Sequence, residues 1–95
     1  MSQRRKRIET ILKRPTRMTF AEVEQILDDF GMQRRRSKRG SHNWFYKPGV
    51  RPISVPKEGG RWVNKVYLDE ICRVLDLDSI DLDQLDAILG PEGRE

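Results

Sequence analysis

His42 is the only histidine of the chain, and it closes a basic stretch, Arg34-Arg35-Arg36-Ser37-Lys38-Arg39-Gly40-Ser41. Trp44-Phe45-Tyr46 follows almost at once. Imidazole is the one side chain whose unperturbed pKa lies near neutrality, so it can give or take a proton under ordinary conditions. Five cations within six positions attract phosphate, and aromatic rings can stack on bases. Taken singly, each feature has a plain explanation: a surface or core histidine, a solvated loop or strand (or a targeting patch), and aromatic strand core. Their adjacency within residues 34–46 points instead to RNA as a substrate.

Cleaving RNA without a metal most simply recruits the neighbouring ribose 2′-hydroxyl as nucleophile. That step needs a base, an acid for the leaving oxygen and positive charge near the phosphorane. His42 can fill one proton role. Lys38 and Arg39 are nearest to it for stabilising charge, with Lys57 next; Arg34, Arg35 and Arg36 extend the phosphate-attracting surface. Ser41 either orients the phosphate or imidazole or serves as a turn hydroxyl, and Gly40 supplies backbone geometry for a turn. Period-two alternation puts Trp44 and Tyr46 on the strand face of His42 and Phe45 on the other, making Trp44 a candidate base platform. Trp62 reads as a packing residue. Cys72 is the sole cysteine, so there is no internal disulfide, and one cysteine with one histidine make no zinc-ligand set. No metal or cofactor is expected, although folding could bring Asp69 or Glu70 beside His42.

Ninety-five residues suit one domain. No apolar stretch is long enough for a membrane span or a signal peptide, so a cytoplasmic location without membrane contact is expected. The net charge of +4 conceals an asymmetry: residues 1–75 carry a net +10 and residues 76–95 a net −6. A basic body suits a nucleic-acid binder. The acidic tail either docks on the basic face or forms a solvated helix.

The apolar spacing divides the chain further. Ile8, Ile11 and Leu12 predict a short basic helix over residues 4–13, ended by Pro15. Thr19 and Glu22 form a capping-box pattern, flanked by Met18 and Val23 in hydrophobic-staple positions. A helix follows, carrying Phe20, Val23, Ile26, Leu27 and Phe30, with Gly31 as its stop. Three strands come next, over residues 32–38, 43–47 and 52–55, with turns at Gly40 and Pro48-Gly49. Glu58-Gly59-Gly60 reads as a flexible loop. Tyr67, Leu68, Ile71, Val74 and Leu75 mark another helix with Cys72 buried beside its apolar face. Asp81 caps a last short helix, which Gly90-Pro91 ends. The fold expected is α+β: a small three-stranded antiparallel sheet packed on helices, in three segments, 1–17, 18–77 and 78–95. One sheet face or edge is left for a partner.

Residues 20–77 resemble the HicA toxins of bacterial toxin–antitoxin systems, small ribonucleases with a double-stranded-RNA-binding-like fold. The resemblance rests on a capped helix ending in Phe30-Gly31, basic residues, Gly40-Ser41-His42 with aromatics behind, then Arg51-Pro52-Ile53-Ser54-Val55-Pro56, a basic glycine loop and a closing helix from Val66. It implies an endoribonuclease acting on mRNA through His42, neutralised by a cognate HicB-type antitoxin. Family members often carry further histidines where this chain has Asn43 and Lys57, which leaves a single proton shuttle here. Two other readings compete: a non-catalytic RNA-binding module, and a DNA-binding or interaction protein, for which no helix reads as a recognition helix.

Overall fold

The computed structural model describes residues 3–36 and 42–90; the side chains of Arg36 and His42 are outside that description. Along the chain run α1 (Gln3–Leu12), β1 (Arg17–Thr19), α2 (Phe20–Asp29), β2 (Gln33–Arg36), β3 (His42–Lys47), β4 (Val50–Pro56), β5 (Trp62–Asn64), α3 (Lys65–Val74) and α4 (Leu85–Leu89). Single 3₁₀ turns lie at Leu77–Ser79 and Leu82–Gln84. The α+β class and the three-stranded antiparallel sheet, in the order β2-β3-β4, match the expectation.

The α2 entry follows the sequence pattern. The Glu22 amide donates to Thr19 Oγ1 at 3.2 Å, and the Thr19 amide donates to Glu22 Oε1 at 3.2 Å. Two amides left without partners by the helix start are thereby satisfied. At the other end Phe30 caps the helix and Gly31 turns the chain away at φ +83°, a region that favours glycine. Lys47 of β3 reaches back to donate to the Phe30 carbonyl at 2.8 Å, tying this end of α2 to the sheet.

The inner sheet face carries Phe45, Ile53 and Val55, all buried, against Phe20, Val23, Ile26 and Leu27 of α2 and Leu68, Ile71 and Cys72 of α3. Strand alternation selects the sheet residues, and helical spacing selects the rest. Phe20 and Phe45 meet with ring centroids 6.3 Å apart in a tilted arrangement. Ile11 of α1 belongs to the same core and Ile8 is fully buried, so α1 packs into the body that holds the sheet.

One element pair was not expected. Arg17–Thr19 and Trp62–Asn64 form a two-stranded antiparallel sheet, with Met18 opposite Val63. Three residues are too few to display an alternation, and the partner lies more than forty positions away in sequence. The closing helix starts at Lys65, earlier than its apolar spacing indicates, because the Asn64 side chain caps it by accepting from the Val66 amide at 2.9 Å.

The acidic tail is the second difference. Its described part is neither a free helix nor a partner of Arg34 and Arg35. It lies along the N-terminal arginines: Arg4 bonds Asp86 at 2.7 Å and the Gly90 carbonyl at 2.8 Å, Arg5 bonds Asp83 at 2.8 Å, and Arg14 holds both Asp78 oxygens at 2.7 and 2.8 Å. Leu85 is buried beneath these contacts. Ile88 of α4 is 54% exposed.

Candidate nucleic-acid interface

From Asn43 to Tyr46, strand β3 sorts its side chains by alternation. Asn43 and Phe45 point into the body, while Trp44 and Tyr46 are each 37% exposed on the outer sheet face. Their rings lie 6.4 Å apart and tilted by 32°. Arg35 of β2 stands opposite Trp44 in register, and its guanidinium lies 5.2 Å from the Tyr46 ring centre. The outer face therefore brings together two rings and one cation. His42 opens the strand two residues before Trp44, with its backbone paired to Pro56 of β4.

Arg34 is turned the other way. It lies opposite Phe45, and its guanidinium donates to Glu24 Oε2 at 2.8 Å and to Asn43 Oδ1 at 2.8 and 3.2 Å. Two of its hydrogen bonds thus go to a buried amide and a third to a carboxylate. A strand of consecutive arginines cannot present them all to one partner, because neighbours on a strand face opposite ways. Arg34 is committed to the fold, and Arg35 faces out.

Lys57 leaves β4 one residue after Pro56, next to the strand partner of His42. Its ammonium lies 4.6 Å from the Phe20 ring centre, on the side of the molecule where Arg34 approaches the same ring at 5.0 Å. Lys57 is therefore close to the start of β3 but directed toward the N-terminus of α2, away from Trp44 and Tyr46. The candidate residues divide between two surfaces that meet near the β3 start. Lys38, Arg39, Gly40 and Ser41 lie outside the described residues, as do the side chains of Arg36 and His42.

Asp69 and Glu70 sit elsewhere. Glu70 pairs with Arg51 at 3.2 Å, near the Pro48-Gly49 turn, and Asp69 pairs with Arg14 and Arg73. That turn is at the opposite end of β3 from His42, a strand length of roughly 17 Å at about 3.3 Å per residue. Neither carboxylate is beside His42.

Trp62 packs as expected, but between cations: the Arg17 guanidinium lies 4.2 Å and the Arg61 guanidinium 5.0 Å from its ring centre. Arg17 and Arg61 are contributions that the sequence alone did not single out. Their signal is a basic residue flanking an aromatic one, which is too common to stand out without the β1–β5 pairing.

The N-terminal arginines are neutralised by Asp29, Asp69, Asp78, Asp83 and Asp86. The Asp78 carboxyl is held below its ordinary value chiefly by its hydrogen bonds to Arg14. Among the described residues Lys6, Lys13, Arg17, Arg35, Lys47, Lys57, Arg61 and Lys65 are in no ion pair, and Arg17, Arg35, Lys57 and Arg61 of these lie on the sheet and around the β1–β5 loop. Comparison with known proteins finds no family model, no curated protein and no solved structure that matches the chain.

Proposed function

We propose that this chain is a toxin-type endoribonuclease that cleaves mRNA through His42 and is silenced by a cognate antitoxin. The observation that carries the reading is the outer face of β3. A strand that opens at the chain's single imidazole sets Trp44, Tyr46 and Arg35 on one exposed surface. Rings of this kind hold unstacked bases, and an arginine beside them holds the backbone. The helix–three strands–helix order of α2, β2, β3, β4 and α3 is the order expected of a double-stranded-RNA-binding-like, HicA-type domain.

His42 acts as the proton-transfer group, and the cations that flank it in sequence stabilise the phosphorane. With one imidazole, the second proton role falls to water or to a cationic side chain. Asn43 does not share the outer face; it is buried on Arg34. An antitoxin would cover the surface formed by Trp44, Tyr46 and Arg35 beside the start of β3; no described helix is long and apolar enough to cross a membrane.

The test is RNA cleavage by wild type against His42→Ala at matched concentration. The variant is expected to lose activity by about 10²–10⁴-fold, the usual contribution of general acid–base catalysis, with RNA affinity retained. Equal cleavage by the two proteins overturns the assignment. RNA binding without cleavage in the wild type replaces it with a non-catalytic RNA-binding module.

A further inference from the structure

Between the start of α2 and the β1–β5 loop lies an open hollow of about 480 Å³, lined by Thr19, Phe20, Glu24, Arg34, Lys57 and Arg61 among others. It exists because the Phe20 amide donates to the Arg61 carbonyl at 2.7 Å, which fastens the loop beside the first turn of the helix. Three cations converge on it and one carboxylate, Glu24, is spent on Arg34 at 2.8 Å. Lys57 and Arg61 have no carboxylate partner. The Lys57 ammonium and Arg34 guanidinium approach the same Phe20 ring at 4.6 and 5.0 Å, so they are within about 10 Å of each other. The Debye length at physiological ionic strength is about 8 Å, close to that bound, so their repulsion is only partly screened. With Glu24 taken up by Arg34, Lys57 and Arg61 are left as two uncompensated cations beside one cavity, which makes a site for an anion.

Phosphate fits this arrangement better than a carboxylate. Lys57 offers a mobile point charge and Arg61 a fork of donors, the pair of shapes that hold phosphate oxygens. The hollow is open and large enough for a sugar–phosphate unit. It also adjoins the proposed cleavage site: Lys57 follows Pro56, whose strand partner is His42. The geometry points to this hollow as a phosphate subsite that seats a backbone phosphate of a single-stranded RNA, adjacent to the one cleaved, with Lys57 and Arg61 as its ligands. The identity of the strand rests on the ribonuclease reading; the anion site does not.

Two measurements on the full chain separate these. The first is a titration of ¹⁵N-labelled protein with inorganic phosphate. Saturable shifts confined to the amides of Phe20, Ala21, Lys57 and Arg61 are expected in wild type and in Lys57→Arg, and their loss in Lys57→Gln/Arg61→Gln. Absent or scattered shifts in wild type, or shifts that survive in the double variant, overturn the subsite. The second is binding of a 2′-O-methyl RNA dodecamer, which cannot be cut through its ribose, as a function of salt. The double variant should flatten the log–log slope by about 0.7 for each lost phosphate contact, whereas Lys13→Gln should leave it unchanged. An unaltered slope alongside intact phosphate binding overturns the RNA strand as occupant and leaves a free anion or an acidic protein group. Because this probe is not cleaved, a flattened slope keeps the subsite even if His42→Ala shows no effect on RNA cleavage.

Discussion

The Arg34 guanidinium and the Asn43 side-chain oxygen are joined by two hydrogen bonds, 2.8 Å from Nη2 and 3.2 Å from Nε, on the buried side of the sheet. Asn43 is 6% exposed and its amide nitrogen donates to the Val55 carbonyl at 3.5 Å, so one side chain links β2, β3 and β4. This pair separates two arginines that are neighbours in sequence. Arg34→Gln should lower stability by about 1–3 kcal/mol, since it strips a buried acceptor of its donors, and should disturb RNA affinity little. Arg35→Gln should do the reverse, flattening the salt dependence of RNA binding by about 0.7 with no loss of stability. Urea unfolding and binding isotherms on both variants check this; equal effects on both readouts would refute the division.

Trp44 and Tyr46 should behave as base platforms. Replacing Trp44 by Ala is expected to weaken single-stranded RNA binding by about 1–3 kcal/mol, the usual range for one stacked base. The fold should persist, because the ring is outside the core. Phe45→Ala, one residue away but buried against Phe20, should instead cost about 3–5 kcal/mol of stability. Equal RNA affinity for Trp44→Ala and wild type would remove the stacking role.

Cleavage by the proposed route has a chemical signature. The ribose 2′-hydroxyl as nucleophile yields a 2′,3′-cyclic phosphate, or its hydrolysis product, and a 5′-hydroxyl end. Activity should survive EDTA, and a 2′-deoxy residue at the cut site should block it. Products with 5′-phosphate ends, or rescue by Mg²⁺ after EDTA, would sink the mechanism while leaving His42 open to another role.

Acidification should weaken the tail's hold on Arg14. Asp78, whose carboxyl lies below its ordinary value of 3.8 because Arg14 hydrogen-bonds it, contributes stability that is full above that value and is lost as pH falls through the lower folded value. Asp29 works in the opposite sense: burial raises its carboxyl despite Arg7 at 3.2 Å, so its contribution improves as pH falls through the raised value. Asp78→Asn should therefore lower stability at pH 6 and flatten the stability loss below about pH 4, near the unfolded carboxylate range. Unfolding midpoints measured from pH 2 to pH 7 would show it; parallel curves for variant and wild type would exclude the linkage.

The single thiol should be silent in the native protein. Burial pushes Cys72 up to about 11, and its Sγ donates to the Ile11 carbonyl at 3.7 Å, within the core that joins α1 to α3. A disulfide-exchange reagent at pH 8 is expected to label it only on unfolding. Rapid stoichiometric labelling of the folded chain would contradict the packing of α1 against α3.

Local chemistry was legible in the sequence wherever one short segment contains its own explanation. The Thr19–Glu22 box, the stop at Gly31, the alternation of Trp44 and Tyr46 against Phe45, and the burial of Cys72 all follow from residues within a few positions of one another, whereas which face of β3 turns inward was settled by the core. Charge pattern announced a basic surface but not its shape. Tertiary structure decided which cations remain free, because Asp78, Asp83 and Asp86 meet Arg14, Arg5 and Arg4 across more than sixty residues of chain. It also decided the partition of Arg34 from Arg35 and the meeting of Phe20, Lys57 and Arg61, through the β1–β5 pairing that three-residue strands cannot advertise. Local interactions are set by spacing along the chain; ion pairs and cavities between distant segments depend on how the core brings those segments together.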